Sequence, residues 1–572
     1  MARSWLPPFG ILLLAVAIRV AALDFGLPLA ESRPDEITLG FQAMKFGRGD
    51  LNPHSFNYPT LWKYVQFAGF GGWYAVGKVT GAVPSQEVFL RDFFLAETPY
   101  RLMQRTLSAL AGVVTVAMLL RTPGRLGGGE DRGATGRWAA LFLAGCALHV
   151  RESRFGTTDA PVTMFVTAAL LASFALVRQG GVRRAATAGV LAGLAASTKY
   201  PGALACVPVG LAALLAPVEG AAAVSGAGRW TTRLRWAAVA GVASIGAFLL
   251  GSPYVALDAG QFMRDLRFEA AHLAAGHHVD VGSGWAYHLR VSLGEGMGWG
   301  LLAAGLAGLV VAARRTREGI LLGSFVLAYW LFMGRGGTAF VRYMLPVVPA
   351  LCMGAAAMVQ SLPGRGGRWV LAAGAFLPTL LPAMALTRLL RAEDTRSVMG
   401  AWIEANVPQD AEIVHAGSPS GAPLLQRNRA HQAREYAARQ GRADAAGFRK
   451  PDDPRWYDVA RPAYDVWHLQ RPATAYTKLS AEAGYLYASM RTVEELRTQR
   501  PPWILLESSP LEAYSRADLA LLALVSGPDY REVHAVRGHD PARARASRMD
   551  VQDAFYAPLT GFDGWSAPGP NL

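Results

Sequence analysis

The chain has 572 residues, 52% of them apolar and only 17% charged, with a mean hydropathy of +0.21. A protein folded in water carries about a quarter charged residues, so these values exclude an ordinary soluble domain and describe a polytopic membrane protein with a sizeable soluble part. The net charge of +14 argues for no nucleic-acid partner, because most basic residues sit in short loops between apolar runs, where they set membrane orientation.

The first apolar run, Leu6 to Leu29, is broken only by Arg19 and Asp24. It is too long for the apolar core of a signal peptide and more runs follow, so an uncleaved first helix is expected. Further runs lie near residues 100–120, 138–150, 160–177, 185–197, 202–216, 236–255, 297–313, 319–333, 343–359 and 369–386. Together they predict about eleven transmembrane spans. The stretch Leu61 to Val79 is aromatic, glycine-broken and carries Lys63 and Lys78; it reads as an interfacial helix. The three cysteines, Cys146, Cys206 and Cys352, all fall in apolar runs and imply no disulfide framework.

The loops order these spans. Arg3 shares a side with the loops carrying Arg121, Arg125, Arg132 and Arg137, then Arg178, Arg183 and Arg184, then Arg229, Arg233 and Arg235, then Arg314, Arg315 and Arg317, and finally Arg365 and Arg368. The positive-inside rule places that side, and the N-terminus, in the cytoplasm. The opposite side of a cytoplasmic membrane receives Asp35 and Glu36, the Asp159 loop, the loop Asp258–Glu295 and everything after Leu390.

From Arg391 the chain turns charged and rich in turn formers. A helix is predicted over Thr395–Asn406, stopped by Pro408, and another over Val493–Arg497. Short strand-like runs are predicted at Glu412–Ala416, Trp503–Leu506 and Glu532–Val536. The division expected is a transmembrane domain over residues 1–390, with a first outer loop at 30–98, and an extracytoplasmic α/β domain over 391–572. Gln440–Arg455 and the Pro/Gly-rich tail after Pro558 read as mobile loops.

The chemistry concentrates at the outer edge, in the segment that begins Arg33-Pro34-Asp35-Glu36. Pro34 suits the first position of a helix over Ile37–Phe46, and acids in a first turn complement the helix dipole. That accounts for one carboxylate but not for the aromatic and proline segment Phe56-Asn57-Tyr58-Pro59-Thr60-Leu61 that follows. Asp159, between Thr158 and Pro161, reads either as a helix cap or as a second site acid. Lys199, at the end of an apolar run, reads either as a snorkelling lysine or as an anion ligand. Arg19, inside the first span, needs a salt-bridge partner or a lipid phosphate. Glu269, His272, His277, His278 and Asp280 are the types that hold a divalent metal, without the firm spacing of a zinc site. No phosphate-cradling glycine loop, nucleotide fingerprint, or serine or cysteine nucleophile signature is present.

The acidic pair followed by Gly49-Asp50-Leu51-Asn52-Pro53 and Tyr58-Pro59-Thr60-Leu61 resembles the GT-C glycosyltransferases. The similarity is to bacterial members of the protein O-mannosyltransferase and aminoarabinose transferase family. Arg101-Leu102, Arg105, Ser108-Ala109-Leu110, His149-Val150-Arg151, Gly156, Asp159-Ala160-Pro161, Thr198-Lys199-Tyr200-Pro201 and Arg342-Tyr343-Met344-Leu345-Pro346 continue the resemblance in order through residue 390. It implies a membrane glycosyltransferase that moves a sugar from a polyprenyl-phosphate carrier to a lipid, glycan or protein acceptor on the outer face, with inversion. It gives Asp35 the role of base or acceptor-orienting group, since the attacking hydroxyl must lose a proton. Glu36 would orient the acceptor or merely solvate the loop. The departing phosphate needs cations; Lys199 and Arg342 lead, then Arg151 and Arg105, with Tyr58, Tyr343 and Arg19 as further binding candidates. Membrane lipid is the surrounding partner; the histidine loop reads either as substrate-loop or interfacial histidines or as a divalent-metal site, and no other cofactor is implied. A transporter and a non-catalytic envelope assembly protein are the rival readings.

Overall fold

The computed structural model describes residues 7–128, 133–218, 226–438, 461–470, 474, 477–478, 489–515 and 518–572. The expected loop Gln440–Arg455, together with Arg3 and Arg132, lies outside the described residues. The fold is mostly helical, with several apolar helices and a small sheet toward the C-terminus.

Five described helices are long and apolar enough to cross a membrane: Thr98–Leu119, Asp159–Gln179, Gly226–Gly251, Val341–Ser361 and Arg365–Leu389. Gly284–Glu295 and Trp299–Arg315 make a sixth if that pair, bent by 112°, is one span. Pro8–Val20 and Tyr200–Leu215 are shorter apolar helices, and Val182–Thr198 and Arg317–Met333 have 17 residues each. Burial sorts them. Val341–Ser361 is 89% buried and forms the centre of the bundle, whereas Gly226–Gly251 and Arg365–Leu389 are each only 28% buried. The outward faces of these two carry Val242, Ile245, Leu250, Val370 and Leu381 in the open. An apolar face of that extent is stable against lipid chains rather than water.

Two expected runs are broken where the site needs them to be. The run Leu6 to Leu29 is helical only over Pro8–Val20; Ala22 and Gly26 then take left-handed backbone, with φ of 60° and 66°. The carbonyls freed by this unwinding are not orphaned, because Arg105 Nη1 donates to Leu23 O at 2.9 Å and Phe25 O at 2.8 Å. The run at 138–150 splits at Cys146 into Ala134–Gly145 and Ala147–Ser153. Leu61–Thr80, expected at the interface, is one continuous helix.

The C-terminal region carries β1 (Glu412–Ala416), β2 (Gln426–Arg427), β3 (Ala463–Leu469), β4 (Met490–Arg491) and β5 (Trp503–Leu506), all paired in parallel. The order is β2-β3-β1-β5, with β4 also on β3. β1 is central, and its residues Val414, His415 and Ala416 are buried, as both faces of a parallel sheet usually are. The predicted helices form as Thr395–Asn406 and Val493–Gln499, the latter opened by a Thr492/Glu495 capping box.

Two expectations fail. Glu532–Val536 is not a strand, because only Val536 finds a backbone partner, exchanging N–H···O bonds with Leu572 at 2.7 and 2.9 Å. The tail after Pro558 is not a free loop. Leu572 packs into the core beside Met399, Ile403 and Tyr464, and Asn571 pairs with Ser508. Asn571 Oδ1 also accepts from the backbone N–H groups of Gly538 and His539. Proline and glycine there let the chain turn tightly against a surface that holds it.

Candidate active site

The helix Pro34–Lys45 begins with Pro34 at its first turn, and it carries Asp35 and Glu36 side by side. Neither acid caps the helix. Successive residues on a helix point about 100° apart, and the two carboxylates part company accordingly. Glu36 is fully buried, and Arg105 Nε donates to both of its oxygens at 3.0 Å. The Gly156 N–H donates to Glu36 Oε1 at 2.9 Å. A Cβ on Gly156 would stand 2.6 Å from Gln104 Cβ, so only glycine lets its backbone come this close. Glu36 therefore neither solvates the loop nor faces a ligand. Arg105 is equally committed, with Ser32 Oγ and the Phe25 ring face as further neighbours.

Asp35 turns the other way and keeps 32% of its side chain exposed. Arg342 Nη2 approaches its carboxylate at 3.0 Å and Arg33 Nη2 at 3.6 Å. Arg342 organises the centre, since each of its three nitrogens faces a different acid. Nη2 meets Asp35, Nη1 donates to Asp553 at 2.7 Å, and Nε lies 4.0 Å from Asp159. Its guanidinium also stacks over the Phe340 ring, 4.0 Å from the centroid.

Asp159 opens the helix Asp159–Gln179 but does not cap it. Lys199 Nζ donates to Asp159 Oδ1 at 2.6 Å, and Thr157 Oγ1 to Oδ2 at 3.1 Å. Lys199 is thus no snorkelling lysine; it is mostly buried, and its ammonium lies 4.9 Å from the Tyr343 ring centre. Tyr58 is half-buried in the same group. Burial, then the neighbouring Asp35 charge, push its hydroxyl well above the ordinary value of 10.0. Sequence-distant Asp35, Tyr58, Asp159, Lys199, Arg342 and Tyr343 are therefore one constellation.

The remaining candidates lie elsewhere or play other parts. Arg151 ion-pairs with its neighbour Glu152 and comes within 3.8 Å of Asp553, its guanidinium over the Phe555 ring. Arg19 has no acidic partner among the described residues. Its guanidinium donates to Ala15 O, Ala144 O and Leu143 O at 3.1 Å each and reaches His149 Nδ1 at 2.8 Å. Main-chain carbonyls thus do the work expected of a salt bridge. Among the described residues no three His, Cys, Asp or Glu side chains converge as a metal group. His272 Nε2 and His277 Nδ1 share a hydrogen bond at 3.0 Å, and Asp280 accepts from the Gly282 N–H within its own turn. Burial and the adjacent His278 and His272 push His277 down to about 2, so the ring is neutral. It packs at a tilt of 57° against Phe340, the ring beneath Arg342.

Sequence reasoning missed Asp553. It is buried, and Arg33 Nη1 donates to both of its oxygens at 2.7 Å. Burial opposes its ionisation, but Arg33, Arg342 and Arg151 together hold its carboxyl well below the usual range. Arg33 itself had no role assigned, although it adjoins the acidic pair.

Comparison with known proteins bears on this constellation. Residues 101–250 match the sequence model for dolichyl-phosphate-mannose-protein mannosyltransferase. This stretch resembles that mannosyltransferase family. It contains Arg105, Arg151, Asp159 and Lys199, while Asp35, Tyr58, Arg342, Tyr343 and Asp553 lie outside it. The matched stretch therefore holds the Asp159–Lys199 pair, and the flanking chain brings the other groups to it. No curated protein sequence matches the chain. Solved structures with distant likeness include ArnT from Cupriavidus metallidurans in the apo state, at 14% identity and TM-score 0.48, over 85% of this chain and 90% of that one. ArnT bound to undecaprenyl phosphate gives 13% identity and TM-score 0.44 over the same shares, 85% and 90%. The apo oligosaccharyltransferase from Archaeoglobus fulgidus gives 11% and 0.45 over 72% of this chain. The chain spans 62% of the length of that archaeal protein.

Proposed function

We propose that the protein is an integral membrane glycosyltransferase of the GT-C type, which moves a sugar from a polyprenyl-phosphate carrier to a hydroxyl acceptor. The class of donor follows the description of the matched family, whose substrate is a dolichyl-phosphate sugar. The observation that carries the reading is the division of the carboxylates. Asp35, though paired with Arg342, is part-exposed, whereas Asp159 and Asp553 are buried among their cations. Asp35 can accept a proton from an acceptor hydroxyl as that oxygen attacks the anomeric carbon. Lys199 and Arg342, next to it, offer the positive charge that a departing phosphate requires. The attack displaces the carrier phosphate directly, forming the new C–O bond as the old one breaks, and inverts the anomeric centre. No covalent enzyme intermediate is involved.

In this reading about eleven spans cross the cytoplasmic membrane, with the N-terminus inside. The site opens on the outer face, roofed by the α/β domain of residues 391–572. The test uses purified protein, polyprenyl-phosphate sugars and an envelope extract, comparing the natural chain with Asp35→Asn. Transfer by the natural chain and its loss in the variant are expected. Equal transfer by both would remove Asp35 from the role of base, and no transfer with any donor would remove the glycosyltransferase reading.

A further inference from the structure

Four residues of the segment Asp550–Tyr556, namely Asp550, Gln552, Asp553 and Phe555, are tied to elements more than 200 positions away. Asp550 accepts from the Val341 N–H at 2.9 Å and from the Tyr287 hydroxyl at 3.3 Å. Gln552 accepts from the Ala339 N–H at 2.6 Å, and its amide donates to Val279 O and Gly337 O at 2.8 and 2.9 Å. Phe555 meets Phe25 and Phe155 edge-on, and Tyr556 donates to Glu507 at 2.8 Å. Asp553 sits in the middle, held on both sides, with its carboxylate between Arg33 and Arg342. A side chain anchored this way keeps its place to a fraction of an ångström.

We propose that Asp553 is a positioning residue of the transfer site, dividing the Arg33 and Arg342 guanidiniums between itself and Asp35. The inference rests on the glycosyltransferase reading and extends the site to the C-terminal segment. Its logic is electrostatic. Arg33 and Arg342 both reach toward Asp35, at 3.6 and 3.0 Å. Asp553 takes Nη1 of each at 2.7 Å and so restrains both from closing on the base. Without that carboxylate Arg33 would keep Asp35 as its nearest acid and Arg342 would share Asp35 and Asp159, so both would shift toward the base. Asp35 would then be fully paired and a poorer proton acceptor, while the local charge would be more positive and more attractive to a phosphate. Arg33 Nε and Nη2 and Arg151 Nε and Nη2 make no hydrogen bond to the protein although they are buried. The cations are thus set for more acceptors than the chain provides.

The test separates rate from binding. Full-length protein in nanodiscs is titrated with undecaprenyl phosphate, with undecaprenol as the uncharged control, and transfer is followed with polyprenyl-phosphate sugar. Asp553→Asn is expected to lower kcat by ~10- to 100-fold, the scale of a misplaced catalytic group, with undecaprenyl phosphate bound as tightly as before or tighter. Asp553→Glu is expected to recover most of the rate. Arg33→Lys, which keeps the charge but loses the fork, is the second variant and should also lower kcat with lipid binding retained. An unchanged kcat in Asp553→Asn, or in Arg33→Lys where the first does not fold, overturns the proposal. So does a parallel loss of rate and lipid binding that Asp553→Glu fails to repair. Failure of the natural chain to bind the phosphate lipid or transfer sugar overturns the parent reading instead.

Discussion

Glu36 and Arg105 form a fully buried ion pair, with the arginine Nε 3.0 Å from each carboxylate oxygen, one residue away from an acid that faces the opposite way. Removing one partner of such a pair leaves a buried charge uncompensated, at a cost of ~3–5 kcal/mol. Glu36→Gln should therefore lower the thermal midpoint of the detergent-solubilised protein by several degrees, whereas Asp35→Asn should barely move it. Thermal unfolding monitored by intrinsic tryptophan fluorescence compares the two; similar midpoints would contradict the division of roles.

Lys199 and Asp159 lead to a different expectation. Lys199→Met removes a cation 2.6 Å from Asp159 and leaves that acid facing only Arg342 and Thr157. Binding of undecaprenyl phosphate should weaken by ~10-fold or more, in line with the loss of one charge-assisted hydrogen bond, while undecaprenol binding stays as it was. Microscale thermophoresis in low salt reads both. An undiminished affinity for the phosphate lipid would place the anion elsewhere.

Arg19→Met should act on stability alone. Ala144 O would lose its charged donor, while Leu143 O keeps the Cys146 N–H and His149 keeps Ser153, so the cost is ~1–3 kcal/mol, that of one buried group left unsatisfied. Transfer per folded molecule should be unchanged, because Arg19 touches none of Asp35, Asp159 or Lys199. A fall in kcat without a fall in thermal midpoint would tie this arginine to the chemistry.

His539 supplies a pH dependence. Burial lowers it to about 4 from an ordinary 6.5, and its ring stacks 4.8 Å from Trp565. Between those values the unfolded chain binds a proton that the folded chain refuses, so stability falls as pH drops from about 6.5 to about 4 and is level above 6.5. His539→Gln should flatten that part of the curve. Chemical denaturation at a series of pH values checks it; identical slopes in both proteins would show that the imidazole protonates freely in the fold.

Much of this molecule was legible from its residues, and the limits have physical causes. Asp35, Asp159, Lys199 and Arg342 stood out because a charge at the end of an apolar run needs a reason, and they meet in space. Thr395–Asn406 was readable from its pattern and the Pro408 that stops it, and the helix from Val493 from its pattern alone. Asp553 was not, because its partners are 520 and 211 residues away and its own neighbourhood reads as a turn. Arg19 was misjudged because its partners are main-chain carbonyls, which every residue has and no sequence displays. Glu36 against Asp35 required the direction of each side chain, which a helix start known only to within a turn does not give.

The bonds from Asp553 to Arg33 and Arg342 also order events in time. Helices made early can enter the membrane while the ribosome is still working, but the two arginines stay without this counter-charge until residue 553 has been made and has folded back. A chain that stops short of that segment lacks the carboxylate between Arg33 and Arg342. On the proposed reading, the chain completes its own site from its C-terminal segment.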